Sequence, residues 1–217
     1  MIIFDLDGTL LNTIDDLGMA CNHALRHFGF PTHTLDEYKH LVGNGVAKLI
    51  ERSLPSEHRH PDTVEQLRQV FVPYYDRHCC EHTHPYEGMN ELVNTLIARN
   101  LPVAVASNKY QAAAEAIVHH YFPVSLRVYG QRDGMPIKPD PAIVNQIRHD
   151  FCRQDETTLF VGDSAVDILT AKNANAVSIG VCWGFRGRTE LENAQADYVV
   201  DTAGQLMQTL MSLADFK

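Results

Sequence analysis

The sequence predicts an α/β protein in which helices cover both faces of a parallel sheet and a smaller helical block is inserted after the first strand. Two observations lead to this prediction. Short apolar runs that end in small or polar residues alternate with amphipathic helical patterns over most of the chain, which is typical of a parallel sheet with crossover helices. Residues 12–85 break this alternation, because they contain helical patterns and no convincing buried strand.

The predicted strands are short and apolar, as expected for strands buried on both faces. In chain order they are MIIFD (1–5), PVAVASN (102–108), LRVYG (126–130), TLFVGD (158–163), AVSIGV (176–181) and ADYVV (196–200). Helical patterns separate most of them. These patterns cover residues 87–100, 111–121 and 141–151, and in each the apolar residues recur on one helical face.

The inserted block is predicted to form several helices. Their ranges are Asp15–His27, Leu35–Leu41, Val46–Leu54 and Val64–His78. Linkers at about residues 11–15 and 81–88 would join the block to the sheet, and Pro85 and Gly88 mark the second linker. We therefore expect a Rossmann-like core made of residues 1–11 and 86–217 and an α-helical cap made of residues 12–85.

The overall composition limits the possible partners. The chain has 217 residues, 45% of them hydrophobic, and a formal charge of -9, which argues against sequence-independent binding to nucleic acid or to an anionic membrane. No apolar run reaches the length of a membrane span, and the N-terminus does not resemble a signal peptide. Five unpatterned cysteines favour a reducing, cytoplasmic location. Whether the protein is a monomer or a homodimer is left open.

Polar residues follow the predicted strands at the edge where parallel α/β sheets bind ligands. They are Asp5, Asp7 and Thr9 after the first strand, Ser107, Asn108 and Lys109 after the second, Lys138 beyond the third, and Asp163, Ser164 and Asp167 after the fourth. Carboxylates at such short distances repel one another unless a cation or a proton lies between them. Mg²⁺ suits such a site, because it prefers oxygen ligands and usually shares its shell with a substrate phosphate.

These residue types indicate phosphoryl transfer. Asp5 would attack phosphorus in line and form an aspartyl-phosphate, and Asp7 would protonate the departing alkoxide and later activate water. Thr9, Ser107 and Lys138 would surround the equatorial oxygens, where positioning and charge neutralisation supply most of the catalysis. We therefore expect Asp5, Asp7, Ser107 and Lys138 to be catalytic.

Four segments, DLDGT (5–9), ASN (106–108), KPDP (138–141) and VGDSAVD (161–167), resemble in order and spacing the four motifs of the haloacid dehalogenase superfamily. This resemblance implies a Rossmann-like core with an α-helical cap inserted after the first strand. It also implies Mg²⁺ bound by the Asp5 carboxylate, the Asp7 backbone carbonyl and Asp163, with Asp167 close by. The dehalogenases that name the superfamily lack the second aspartate, because they need no acid for a halide leaving group, so Asp7 favours phosphoryl chemistry.

Among the superfamily's phosphatases, the chain resembles the phosphoglycolate phosphatases. The similar segments are LVGNGVAKLIERSL (41–54), SNK (107–109), TAKNA (170–174) and GVCWGFR (180–186). Asn175 replaces the usual glycine after TAKNA, and asparagine tolerates the left-handed conformation expected there. The resemblance implies a Mg²⁺-dependent phosphatase for a small phosphate monoester, with phosphoglycolate the leading candidate. Inorganic pyrophosphatase, phosphosugar mutase and, from another class, a phosphorylation-switched signalling module are the alternatives.

Two further segments have more than one interpretation. Gly43, Asn44 and Gly45 form a turn between two cap helices, or the N–H groups at the start of the following helix hold a substrate anion, such as a carboxylate, against the core. Thr9 and Asn108 are the other expected substrate-binding residues. A second segment is rich in possible soft-metal ligands, namely His78, Cys79, Cys80, His82 and His84. Its spacing matches no known zinc pattern.

Overall fold

The computed structural model of the protein describes residues 1–153 and 156–214. Its strands are β1 (Ile2–Phe4), β2 (Leu11–Asn12), β3 (His84–Pro85), β4 (Val103–Tyr110), β5 (Arg127–Gln131), β6 (Leu159–Gly162), β7 (Val177–Val181) and β8 (Tyr198–Val200). Six of these described strands form one sheet in the order β5-β4-β1-β6-β7-β8, and every neighbouring pair is parallel.

Helices cover both faces of this sheet. They are α5 (Met89–Ala98), α6 (Gln111–Tyr121), α7 (Ala142–Asp150), α8 (Ala165–Asn173), α9 (Arg188–Asn193) and α10 (Ala203–Ala214). Because successive strand residues point to opposite faces, Ile3 packs with the apolar residues of α7 and α8, whereas Ile2 and Phe4 pack with those of α5, α6 and α10. The predicted α/β class with a parallel sheet is confirmed.

The segment between β1 and α5 is mainly helical. Its helices are α1 (Ile14–His27), α2 (Leu35–Leu41), α3 (Gly45–Ser53) and α4 (Pro61–His78), and their bounds lie within one helical turn of the sequence patterns. Thr34 and Glu37 form a reciprocal capping box at the start of α2. Among the described helices, none combines the length and apolar character required to cross a membrane.

A short antiparallel ribbon, which the sequence pattern did not predict, joins the helical segment to the sheet. Leu11 of β2 pairs with Pro85 of β3. The buried carboxylate of Asp16 reinforces this joint, because it accepts hydrogen bonds from the backbone N–H groups of His82 and Thr83 at 2.8 to 3.1 Å. The two linkers are thereby tied to each other and to α1.

The position of β1 determines where the polar strand ends meet. β1 lies between β4 and β6, and the strand order continues outward in opposite directions on its two sides. Ligands bind at such a switch point, beyond the carboxyl ends of the strands. Farther along the chain, Asn175 has a φ angle of 50°, so the predicted left-handed conformation after α8 is confirmed.

Candidate active site

A buried lysine joins carboxylates from two strand ends. Lys138, between β5 and α7, donates to Oδ1 of Asp5 at 2.6 Å and to Oδ1 of Asp167 at 2.7 Å. Its Nζ also donates to the carbonyl oxygen of Ala106 at 3.0 Å. Asp5, Asp163 and Asp167 each offer a carboxylate oxygen, and these oxygens all lie within 4.8 Å of one another. The predicted convergence of these acids with Lys138 is therefore present in the structure.

The local sequence fixes the two aspartates that follow β6. Asp167 lies in the first turn of α8, where its Oδ2 accepts from the backbone N–H and the hydroxyl of Ser164 at 3.1 and 2.6 Å. Such an arrangement satisfies backbone donors at a helix start. Oδ2 of Asp163 accepts from the backbone N–H of Phe185 at 2.6 Å.

Glycines provide the space that these carboxylates occupy. A Cβ atom on Gly184 would lie 2.3 Å from Cβ of Asp163, and one on Gly8 would lie 2.4 Å from its Oδ2. A Cβ atom on Gly162 would lie 2.2 Å from Cβ of Asp167. Since such separations are far below contact distance, side chains at these glycines are incompatible with the observed carboxylate positions.

Burial and mutual repulsion change the proton affinity of this cluster. Burial, together with the charge of Asp167, raises the pKa of Asp5 to about 7, although Lys138 opposes the change. Burial and the charges of Asp167 and Asp5 raise the pKa of Asp163 well above its ordinary value. Burial disfavours the charged amine of Lys138, but Asp167 and Asp5 outweigh that effect and raise its pKa. The single ammonium group of Lys138 does not balance the negative charge of three ionised carboxylates.

The donor set fits a magnesium ion. Three buried carboxylates face one another, and a divalent cation would relieve the repulsion that raises their pKa values. Their oxygens are the hard ligands that Mg²⁺ prefers. The side chain of Asp7 lies outside this group, which leaves its expected backbone ligand role untested.

Asp7 has partners of its own. Its carboxylate accepts from Nζ of Lys109 at 2.9 and 3.1 Å and from the hydroxyl of Thr13 at 2.7 Å. Nζ of Lys109 also lies 4.8 Å from the ring centroid of Tyr75 in α4, within the range of a cation–π interaction. Sequence analysis placed Lys109 at a strand end but gave it no role, and it did not select Tyr75.

Side chains from the core hold the loop before α3. Asn108 donates through Nδ2 to the carbonyl oxygens of Gly43 and Lys138, each at 3.1 Å. Arg186 donates through Nη2 to the carbonyl oxygen of Val42 at 2.8 Å. The glycine turn is thus fastened to the sheet edge by two core residues.

A cavity lies between the strand ends and the helical segment. Its core wall includes Asp5, Asp7, Ser107, Asn108, Lys109, Lys138, Asp163, Ser164, Asp167, Phe185 and Arg186. The wall formed by the helical segment includes Leu17, Val42, Gly43, Gly45, Val46, Leu49, Phe71 and Tyr75. A polar, charged floor therefore faces a mainly apolar roof.

Two predicted contact residues lie elsewhere. Thr9 is fully buried and is not part of the cavity wall, and its Oγ1 has no hydrogen-bond partner among the described residues. Asn44 also lies outside the wall, because Nη2 of Arg52 donates to its side-chain oxygen at 2.7 Å and holds it against α3. Of the predicted glycine turn, Gly43 and Gly45 reach the cavity.

The residues rich in histidine and cysteine do not form a metal site among the described residues. Nδ1 of His78 lies 2.7 Å from Glu81, and Nδ1 of His84 lies 2.9 Å from the carbonyl oxygen of His82. The sulfur atoms of Cys79 and Cys80 are 3.9 Å apart. These side chains have local partners instead of a common ligand position.

The sheet topology, the helical insertion after β1 and the acid–lysine cluster define a Rossmann-like α/β protein with a buried carboxylate site at its strand ends. The family model of the haloacid dehalogenase-like hydrolases matches residues 2–181. The chain belongs to this family, and within it to the phosphatases.

Relatives cover nearly the whole chain. The phosphoglycolate phosphatase of Vibrio cholerae is 30% identical over 221 residues, covering 97% of this chain and 96% of that protein. A crystal structure from Lactobacillus delbrueckii, assigned provisionally as a phosphoglycolate phosphatase, is 30% identical with a TM-score of 0.89 and covers 96% of this chain and 97% of its own. CbbY from Rhodobacter sphaeroides, solved with phosphate, shares the fold with a TM-score of 0.78 at 22% identity and covers 94% of this chain and 95% of its own.

Proposed function

We propose that this phosphatase hydrolyses a small, soluble phosphate monoester, with phosphoglycolate the leading candidate, through an aspartyl-phosphate on Asp5. The observation that carries this proposal is the convergence of Asp5, Lys138, Asp163 and Asp167 beside Asp7 in one cavity. The name of the Vibrio cholerae relative supports phosphoglycolate as the substrate.

In this proposal each residue of the site has a separate catalytic role. Asp5 attacks phosphorus, while Lys138 holds its carboxylate and neutralises charge on the transferring group. Asp7 protonates the leaving oxygen and then removes a proton from the water that hydrolyses the acyl phosphate. Ser107 lines the same cavity and would donate to a phosphate oxygen.

We propose Mg²⁺ as the cofactor. Asp5, the Asp7 backbone carbonyl, Asp163 and Asp167 would hold it. The ion would supply positive charge that allows an anionic carboxylate to approach a phosphate dianion.

The helical segment, residues 12–85, would serve as a cap. It contributes the apolar wall of the cavity, so its closure would exclude bulk water during attack and select the leaving group. All five cysteines are free, which supports the proposal that the enzyme works in the reducing cytoplasm.

A substrate panel tests the assignment. We expect kcat/KM for phosphoglycolate to exceed that for pyrophosphate and for hexose phosphates, and we expect Asp5→Asn to abolish phosphate release. Asp62→Asn changes an exposed acid at the start of α4 and serves as the matched control. An aspartyl-phosphate that persists for minutes would favour the signalling module, and normal turnover by Asp5→Asn would refute the covalent mechanism.

A further inference from the structure

We propose that Lys109 binds a carboxylate on the leaving group, and thereby makes the enzyme selective for phosphate esters of small hydroxy acids. This inference rests on the proposed phosphatase function and assigns substrate selection to a residue outside the acid–lysine cluster.

The position of Lys109 places its charge on the leaving-group side of the cavity. Its side chain is only 3% exposed, and its Nζ contacts both carboxylate oxygens of Asp7. In the proposed reaction Asp7 protonates the leaving oxygen, which departs opposite the attacking Asp5. A cation bonded to Asp7 is therefore next to the group that leaves.

The length of a two-carbon hydroxy acid matches this arrangement. Its carboxylate oxygens lie about 3–4 Å from the ester oxygen, given ordinary bond lengths. When Asp7 contacts the ester oxygen, Nζ of Lys109, at 2.9 Å from Asp7, is within reach of that carboxylate. In a buried site, a charged hydrogen bond of this kind favours a substrate that carries the carboxylate over one that lacks it.

The cap contributes Tyr75 to the same wall. The ring of Tyr75 lies 4.8 Å from Nζ of Lys109, so cap and core together fix the position of the ammonium group. The hydroxyl of Tyr75 is buried and has no hydrogen-bond partner among the described residues. A buried polar atom without a partner is rare in proteins, and a polar ligand against this wall would satisfy it.

The three cations of the cavity differ in their partners, and Lys109 is the one that pairs with Asp7. Among the described residues that line the cavity, Lys109, Lys138 and Arg186 carry positive charge. Lys138 lies between Asp5 and Asp167, and Arg186 is held by the carbonyl oxygen of Val42. Since the cavity is rich in carboxylates, a second anionic group on the substrate requires a cation nearby, and Lys109 meets that requirement.

The test compares phosphoglycolate with 2-hydroxyethyl phosphate, which replaces the carboxylate by an alcohol on the same two-carbon leaving group. The measured quantity is the ratio of their kcat/KM values in one enzyme sample. This ratio does not depend on the fraction of protein that is folded, so it remains informative if a variant is less stable. We expect the wild-type enzyme to prefer phosphoglycolate.

We expect Lys109→Met to lower this ratio by about 10- to 100-fold, as the loss of one charged hydrogen bond implies. Lys109→Arg should restore part of the preference because it keeps the charge. Lys48→Met removes an exposed cap lysine that pairs with Glu51 and should leave the ratio unchanged, as should Arg186→Met.

An unchanged ratio in Lys109→Met, or a ratio lowered by Arg186→Met instead, would overturn the inference. Equal hydrolysis of the two esters by the wild-type enzyme would overturn it while leaving the phosphatase function intact. Hydrolysis of neither ester would refute both.

Discussion

The ammonium group of Lys138 lies 2.6 Å from Oδ1 of Asp5, although the two residues are 133 positions apart in the sequence. The same nitrogen donates to Asp167 at 2.7 Å. Because all three side chains are buried, these contacts fix the carboxylate of Asp5 relative to that of Asp167 beyond β6. One lysine thus connects the end of β1 with the segment that follows the neighbouring strand β6.

We predict that Lys138→Met destabilises the metal-free protein by about 3–5 kcal/mol, because removing one partner of a buried ion pair leaves unpaired buried charge. Activity on phosphoglycolate should also fall to background. Urea unfolding at neutral pH measures the change in free energy. Lys39→Met, at an exposed lysine paired with Asp36, is the control. A free energy of unfolding within about 0.5 kcal/mol of wild type, the usual scatter for surface changes, would contradict this prediction.

We predict that stabilisation by Mg²⁺ increases as pH rises from 5 to 7.5. Asp5 has a pKa of about 7 in the folded protein and about 3.9 when unfolded, so between these values the folded state binds more protons. Linkage then requires the stability of the metal-free protein to fall as pH rises through this window. The cation needs ionised carboxylates, and its effect is therefore greatest near or above the folded pKa.

Thermal unfolding with and without Mg²⁺, at several pH values, measures this effect. In Asp163→Asn the Mg²⁺-dependent increase in Tm should be largely lost. An increase that is equal at pH 5 and pH 7.5 would show that the clustered carboxylates are not the binding site.

We predict that Gly184→Ala impairs Mg²⁺ binding. The added methyl would lie 2.3 Å from Cβ of Asp163 and 2.4 Å from the carbonyl oxygen of Gly8, so the carboxylate would have to move. Gly204→Ala is the matched control, since its nearest neighbouring atom would be 3.8 Å away. The Mg²⁺ concentration for half-maximal activity should rise at least about tenfold in Gly184→Ala, as found for residues that orient ligands. Equal values in both variants would contradict the proposed constraint.

We predict that Arg186→Met raises KM by about tenfold for phosphoglycolate and for 2-hydroxyethyl phosphate alike, as the loss of one charged hydrogen bond implies. Its guanidinium donates to the carbonyl oxygen of Val42 at 2.8 Å and so holds the loop before α3 over the cavity. Steady-state kinetics checks this effect, with Arg68→Met as control because Arg68 pairs with Glu65 on the exposed surface of α4. Wild-type KM values in Arg186→Met would show that this contact does not control closure.

Much of the fold was predictable because its signals are local. Short apolar runs indicate the strands, and apolar residues that recur every 3.6 residues indicate the helices. The parallel sheet and the inserted helices could therefore be predicted from these patterns. The positions of Asp5, Lys138 and Asp163 also followed, since they end or follow strands of one parallel sheet. The ribbon of β2 and β3 was missed because strands of two residues carry no periodic signal, and α9 and α10 were not predicted.

The side-chain contacts around the cavity could not be predicted in the same way. The meeting of Lys109 with Tyr75 depends on how α4 lies over the sheet edge, which neither segment determines alone. Asn44 was expected at the cavity, but Arg52, eight positions later, holds its side chain. Thr9 was expected to contact phosphate, and it is fully buried outside the cavity wall. The contact between Lys109 and Tyr75 thus depends on packing between elements, whereas the contact between Asn44 and Arg52 is formed within α3 and its N-cap.

The most direct test of the account is to identify the residue that carries the phosphoryl group during turnover. Acid quenching of the wild-type enzyme with phosphoglycolate and Mg²⁺, followed by peptide mass spectrometry, should find a transient phosphoryl group on Asp5 that disappears as phosphate is released. Its absence throughout turnover, or its appearance on another residue, would contradict the proposed mechanism.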